Sequence, residues 1–217
     1  MNVEEWNLTE EQQVRYCSEA RLRQARSMHG ERQRKLCLGA EVLLNRSLEI
    51  IGRAVSLPAV YRRNEHGKPY LVSAPDLYVN WSHSGRWVLC AVSDTEVGVD
   101  LQSAAKEPKD TLLRRFLQPE EREYYDRVPE EQRRPLFYRY WVVKESYLKA
   151  LGSGFCTPLD TFYVKMGERH PEIITREAEE LCTCRILKAP DQMYAAAVCV
   201  RSAKGEIPGE VPVEILL

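Results

Sequence analysis

The stretch Tyr140-Trp141-Val142-Val143-Lys144-Glu145-Ser146-Tyr147-Leu148-Lys149-Ala150 decides how the chain is read. Residues 137–151 are apolar nearly all round a helical wheel, which predicts a helix buried inside the molecule. Lys144, Glu145 and Lys149 interrupt it. At about 100° per residue, Glu145 and Lys149 share a face and Lys144 lies roughly a quarter turn away. Gly152-Ser153-Gly154 then closes the helix. An exposed Glu–Lys pair at this spacing contributes roughly 0.2–0.5 kcal/mol, and a solvated pair is one reading. A carboxylate buried on such a helix costs several kcal/mol unless it is paired or binds a metal. One carboxylate beside two ammonium groups therefore suits a site that holds a cation and a polyanion together.

Upstream, Val97-Gly98-Val99-Asp100-Leu101-Gln102 alternates with period 2. Val97, Val99 and Leu101 share one face, and Gly98, Asp100 and Gln102 the other. Asp100 on a core strand is placed to bind a hard cation, or to cap a neighbouring amide. Leu77–Trp81 and Trp87–Val92 read as strands joined by Ser82-His83-Ser84-Gly85-Arg86, which puts Ser82 and His83 in a turn beside an arginine. Asn64-Glu65-His66-Gly67-Lys68-Pro69 is another turn, carrying Lys68.

Nearer the start, residues 8–28 read as one helix, with Thr9 and Gln12 as a capping box. A second helix is expected over 31–53. Between residues 15 and 35, seven basic side chains (Arg15, Arg21, Arg23, Arg26, Arg32, Arg34, Lys35) face two acids, Glu19 and Glu31. That is either a solvated face or a place where phosphates are held. Residues 103–110 look like a linker. Short helices at 112–116 and 119–127, a surface loop at 128–134, and strands at 159–166, 181–187 and 193–200 complete the pattern. Each half offers helices and a small antiparallel sheet, an α+β arrangement with a hint of duplication. The tail from 202 to 217 reads as peripheral.

At 217 residues with 44% apolar and 29% charged residues, the composition is that of a globular protein. No run of 18 apolar residues is present, which excludes a spanning helix, and the first residues lack a signal-peptide pattern. Seven scattered cysteines with no C-x-x-C read as core thiols, so the expected compartment is the cytoplasm. A net charge of −1 and the lack of a stacking or groove-reading motif argue against a nucleic-acid partner.

Four stretches fall in one order: Gly67-Lys68-Pro69, Asn80-Trp81-Ser82-His83-Ser84-Gly85-Arg86-Trp87, Gly98-Val99-Asp100-Leu101-Gln102, and Trp141 to Ala150 with its Lys144-Glu145 and Lys149. With Thr157-Pro158-Leu159-Asp160, they resemble the 4′-phosphopantetheinyl transferases of the surfactin-synthetase-activating type over residues 64–165. The resemblance implies a pseudo-twofold α+β monomer of two similar halves, 1–104 and 105–217, with coenzyme A in the cleft between them. It implies Mg²⁺-dependent transfer of the phosphopantetheine arm to a serine of an apo acyl or peptidyl carrier protein of fatty-acid, polyketide or nonribosomal peptide synthesis, with release of 3′,5′-ADP. Asp100 and Glu145 would hold Mg²⁺. Gln102 stands where the family commonly has a second acid. Glu145 would take the serine proton and Lys149 would steady the leaving phosphate. Lys68, Ser82, His83, Lys144 and Lys149 would contact the coenzyme, His83 at its 3′-phosphate. Arg23, Arg26 and Lys35 would add N-terminal contacts, with Arg21 or Arg34 as replacements if the alignment shifts by one. A coenzyme-A-binding protein with weakened transfer and a Mg²⁺-dependent nucleotide phosphoester hydrolase are the alternatives.

Overall fold

The computed structural model describes residues 1–7, 9–176, 182–189 and 191–201. Two short helices, α1 (Glu10–Tyr16) and α2 (Glu19–Ser27), lead into the long α3 (Glu31–Ile50). Then β1 (Tyr61–Arg63), β2 (Pro69–Leu71), β3 (Tyr78–Ser84) and β4 (Trp87–Ser93) form an antiparallel sheet in that order. β5 (Val97–Ser103) is followed by α4 (Asp110–Phe116), α5 (Pro119–Arg127) and the long α6 (Glu130–Leu151). A hairpin of β6 (Phe162–Lys165) and β7 (Glu172–Thr175) precedes β8 (Cys182–Leu187) and β9 (Tyr194–Arg201). The second main sheet has the order β5-β9-β8, also antiparallel.

The expected α+β plan appears twice. α3 lies on β3 and β4, and α6 lies on β5 and β9. The α6 core gathers Phe137, Tyr140, Val142, Val143 and Ala150, each 1% exposed or less, which is why that helix shows no polar stripe in its sequence. It ends at Gly152 in the left-handed conformation, φ 72°.

Several expectations change. The single helix expected over 8–28 is two, α1 and α2, with the Thr9–Gln12 capping box present; Leu8 lies outside the described residues. The break falls at Ser18, whose amide and hydroxyl donate to the buried Glu41 carboxylate at 2.8 and 3.1 Å. Ser18 then caps α2 by accepting from the Arg21 amide at 3.2 Å. The loop expected at 128–134 is largely the start of α6, with Pro135 inside the helix and Arg133 bonded to Val128 and Asp126 carbonyls. Ser82, His83 and Ser84 belong to β3 rather than to a turn, so the hairpin reverses at Gly85-Arg86 alone. β4 ends its sheet; residues 1–3 cover its edge through Met1–Val88 and Val3–Arg86 bonds. Cys184 and Cys199, expected as thiols, stand opposite each other on β8 and β9 and form a disulfide. The expected strand over 181–187 begins at Cys182, Leu181 lying outside the described residues, as does the tail from 202. β5 precedes residue 104 yet pairs with β9, so sheet membership crosses the division between the halves.

The two main sheets meet where β5 runs against β3. No ladder of backbone bonds joins these two strands among the described residues; alternate side chains of β3 do so instead. Asn80 Oδ1 accepts from the Val99 amide (3.0 Å), Ser82 Oγ from Leu101 (3.3 Å) and Ser84 Oγ from Ser103 (2.9 Å). The period of 2 in Asn80-x-Ser82-x-Ser84 is thus the pitch of a strand edge satisfied by side chains.

Candidate active site

β5 carries Asp100 and α6 carries Glu145 and Lys149, and the packing of one on the other brings the three together. Lys149 Nζ donates to Asp100 Oδ1 at 2.6 Å and to the Val99 carbonyl at 3.0 Å. Ser82 Oγ donates to the same Oδ1 at 2.7 Å, which links β3 into the site. Asp100 is only 6% exposed, and its Oδ2 is buried with no hydrogen-bond partner. Burial raises the pKa of Glu145, and the Asp100 carboxylate raises it further, while Lys149 partly offsets both. An orphaned carboxylate oxygen beside a second acid whose charge is disfavoured is an arrangement that a cation relieves. Among the described residues no three His, Cys, Asp or Glu gather at one point. Two acids, the Gln102 amide on the same strand face, and water fit a Mg²⁺-sized ion that keeps part of its hydration.

This geometry predicts how Glu145 titrates. A carboxyl whose folded pKa lies above its unfolded value stabilises the fold below the unfolded pKa, and that contribution is lost as pH rises through the folded value. Asp100→Asn should lower the Glu145 pKa by removing the like charge, and Lys149→Met should raise it. Carboxyl carbon-13 titration by NMR of the unliganded protein checks both signs, and equal shifts in the two variants would contradict the arrangement.

Beside the acids lies a cleft of ≈ 220 Å³ lined by Arg63, His66, Lys68, Trp81 and Lys149 among others. Lys68 is 6% exposed; its ammonium bonds the Glu96 carboxylate and the Ala150 carbonyl (2.7 Å), satisfying the end of α6. Burial lowers its pKa against the raising effect of Glu96. His83 is exposed on β3, and its pKa is lowered by desolvation and then by Lys149, with a smaller effect from Arg21. For an exposed ring that direction matters mainly because it locates two cations close by.

One expected contact is displaced. Lys144 is fully buried on the other side of α6, paired with Glu121 at 2.6 Å and donating to the Phe116 carbonyl at 2.8 Å. It sits over the Phe116 and Phe162 rings and does not reach the cleft. Arg23 and Arg26 are exposed on α2, and Lys35 pairs with Glu31 at 3.0 Å. Arg21 reaches the cleft wall: it donates to Tyr61 Oη at 2.8 Å and lies 5.9 Å from the Trp81 ring. The cage of Tyr61, Trp81 and Arg63 was not anticipated, nor was Asn64, which accepts from the His66 and Lys68 amides and donates to the Gly152 carbonyl. The Asn at the head of a Gly-containing turn is a signal for the second; the first leaves none.

Paired acids beside the buried Lys68 and the half-buried Lys149, where β3 and β5 meet, form a site whose chemistry suits a cation together with a polyanion. Residues 96–199 match the 4′-phosphopantetheinyl transferase superfamily. The chain is 37% identical over 136 residues to a 4′-phosphopantetheinyl transferase of Bacillus subtilis, a match spanning 62% of this chain but only 60% of that relative. It is 30% identical over 172 residues to 4′-phosphopantetheinyl transferase psf-1 of Bacillus pumilus, covering 77% of this chain and 71% of that one. With 4′-phosphopantetheinyl transferase Sfp of Bacillus subtilis (strain 168), identity is 29% over 212 residues, 94% of this chain and 91% of the relative. The chain belongs to the 4′-phosphopantetheinyl transferase family.

Proposed function

We propose that this protein moves the 4′-phosphopantetheine arm of coenzyme A onto a serine hydroxyl of an apo carrier protein and releases 3′,5′-ADP, acting as a cytoplasmic monomer. The observation that carries this reading is the unpartnered, buried Asp100 Oδ2 beside Glu145 and Lys149 at the edge of a cation-lined cleft. The cleft between the halves 1–104 and 105–217 is the proposed coenzyme site. Asp100 and Glu145, with Gln102 or water, would hold Mg²⁺, which supplies charge neutralisation at the diphosphate when bound.

The rest falls to side chains. Serine oxygen attacks the pantetheine-side phosphorus, an oxygen–phosphorus bond forms, and the bond to the ADP phosphate breaks. Glu145, whose raised pKa marks a carboxylate that accepts a proton readily, takes the serine proton directly or through water. Lys149 turns its ammonium to the departing phosphate. Lys68, Ser82 and His83 contact the coenzyme, His83 at the 3′-phosphate, with Arg23, Arg26, Lys35 or Arg21 completing the cationic wall. α4 and α5 offer the carrier an exposed face that includes Tyr124, 48% accessible.

The test is mass spectrometry of acyl and peptidyl apo carriers incubated with the protein, coenzyme A and Mg²⁺. Each accepted carrier should gain the mass of the arm. Asp100→Asn and Glu145→Gln should each slow transfer by about a hundredfold while circular dichroism stays unchanged. Turnover of coenzyme A without a carrier would indicate a hydrolase instead, and binding without transfer a weakened relative.

A further inference from the structure

A thiol lies beside the same cleft, against His66 of its lining. Of the cysteines outside the disulfide, Cys17 and Cys37 are buried, Cys90 and Cys182 are half-buried, and Cys156 is exposed. Cys156 ends the short 3-10 turn Gly154–Cys156, just beyond α6 in the C-terminal half. Its Sγ lies 3.6 Å from Nδ1 of His66, which belongs to the turn between β1 and β2 in the other half. The second ring nitrogen, Nε2, is 3.5 Å from a Glu65 carboxylate oxygen. A carboxylate only accepts, so in the neutral ring it favours the proton on Nε2 and leaves the Nδ1 lone pair towards the thiol. Thiol, imidazole and carboxylate in this order form the arrangement that activates a nucleophile.

The two turns are held against each other on both sides of His66. Asn64 donates to the Gly152 carbonyl at 2.9 Å, and Lys68 to the Ala150 carbonyl at 2.7 Å. His66 and Gly154 line the cleft together with Arg63, Lys68 and Lys149. The thiol therefore stands at the rim of a cavity with three cations in its wall. A disulfide that carries phosphates would be concentrated there over one that does not.

We infer that Cys156 is a thiol–disulfide exchange site for the disulfide of coenzyme A, and that the resulting adduct closes the cleft to substrate. The inference rests on the proposed function, because it takes the coenzyme as the ligand of this cleft. In the exchange, Cys156 gives its proton to His66 Nδ1 and attacks one sulfur of the disulfide. A protein–coenzyme sulfur–sulfur bond forms, the original one breaks, and the departing thiolate takes up the proton. Cys156 is oxidised and one coenzyme is reduced to its thiol, so no other oxidant is required.

The experiment incubates the full chain with coenzyme A disulfide or glutathione disulfide at equal concentration, followed by intact-mass and peptide mapping. The expected result is one coenzyme adduct per chain on Cys156, formed at least tenfold faster than the glutathione adduct. It should form at least tenfold more slowly in His66→Gln. Transfer activity should fall in step with labelling, return with dithiothreitol, and resist the disulfide in Cys156→Ser. Labelling at another cysteine, equal rates for the two disulfides, or an unchanged rate in His66→Gln overturns the inference. Transfer by the untreated protein is measured alongside: if it is active and Cys156 stays unlabelled, this inference alone fails. If no carrier gains the arm even without treatment, the proposed function fails and takes the inference with it.

Discussion

Gly98→Val should lower stability by more than about 3 kcal/mol and abolish transfer in whatever fraction still folds. A Cβ at position 98 would lie 2.1 Å from the Ser146 carbonyl oxygen, 2.3 Å from the Ala150 nitrogen and 2.8 Å from the Lys149 carbonyl carbon. All three are backbone atoms of α6, so no side chain can swing aside. Ordinary overpacking costs about 1–3 kcal/mol when flexible neighbours yield, and here the helix itself must lift from the strand. That displacement acts on the same pair of elements that brings Asp100 to Lys149 at 2.6 Å. A shift of about 1 Å in such a site is enough to cost on the order of a hundredfold in rate. Gly98→Ala should show the same two losses to a smaller degree. Chemical denaturation read beside the carrier assay separates the effects, and a parent-like midpoint for Gly98→Val would show that α6 does not press on β5 in this way.

The site was legible where its geometry is local. Period 2 put Gly98, Asp100 and Gln102 on one face of β5, and the spacing of four put Glu145 and Lys149 on one face of α6; the structure keeps both relations. What stayed hidden depends on partners far along the chain. Nothing near Ser18 announces that Glu41 draws its amide out of a helix, and nothing near Val97 says that β5 pairs with β9 rather than with its neighbour β4. The reading of Ser82-His83-Ser84 as a turn had a physical cause as well. Polar residues at the end of a strand look like a loop when their partners, the amides of Leu101 and Ser103, lie on a separate sheet. Lys144 was misplaced for the same reason: its quarter-turn offset from Glu145 was visible, but the carboxylate waiting there belongs to α5.

That hidden pair gives the second large effect. Lys144→Met should cost about 3–5 kcal/mol, because it strips the counter-ion from a carboxylate with no access to water. Both side chains are 0% exposed. Glu121 also accepts from the Gln118 amide and the Val164 amide, each at 2.7 Å, so its charge holds the start of α5 and β6 as well as α6. Burial pushes the Glu121 pKa up, and Lys144 is the main force holding it down. Without the lysine the folded pKa rises further. A raised carboxyl favours the fold below its unfolded pKa of about 4.3, and that contribution fades as pH climbs through the folded value. The deficit of Lys144→Met against the parent should therefore be larger at pH 8 than at pH 5.5. Adding Glu121→Leu removes the stranded charge but orphans the buried Val164 amide, at about 1–3 kcal/mol, and the half-buried Gln118 amide, so the double variant should recover only part of the loss. Urea midpoints across pH decide the matter. A deficit that is independent of pH, or a double variant as stable as the parent, would mean that the pair does not carry the electrostatic load that its burial assigns to it.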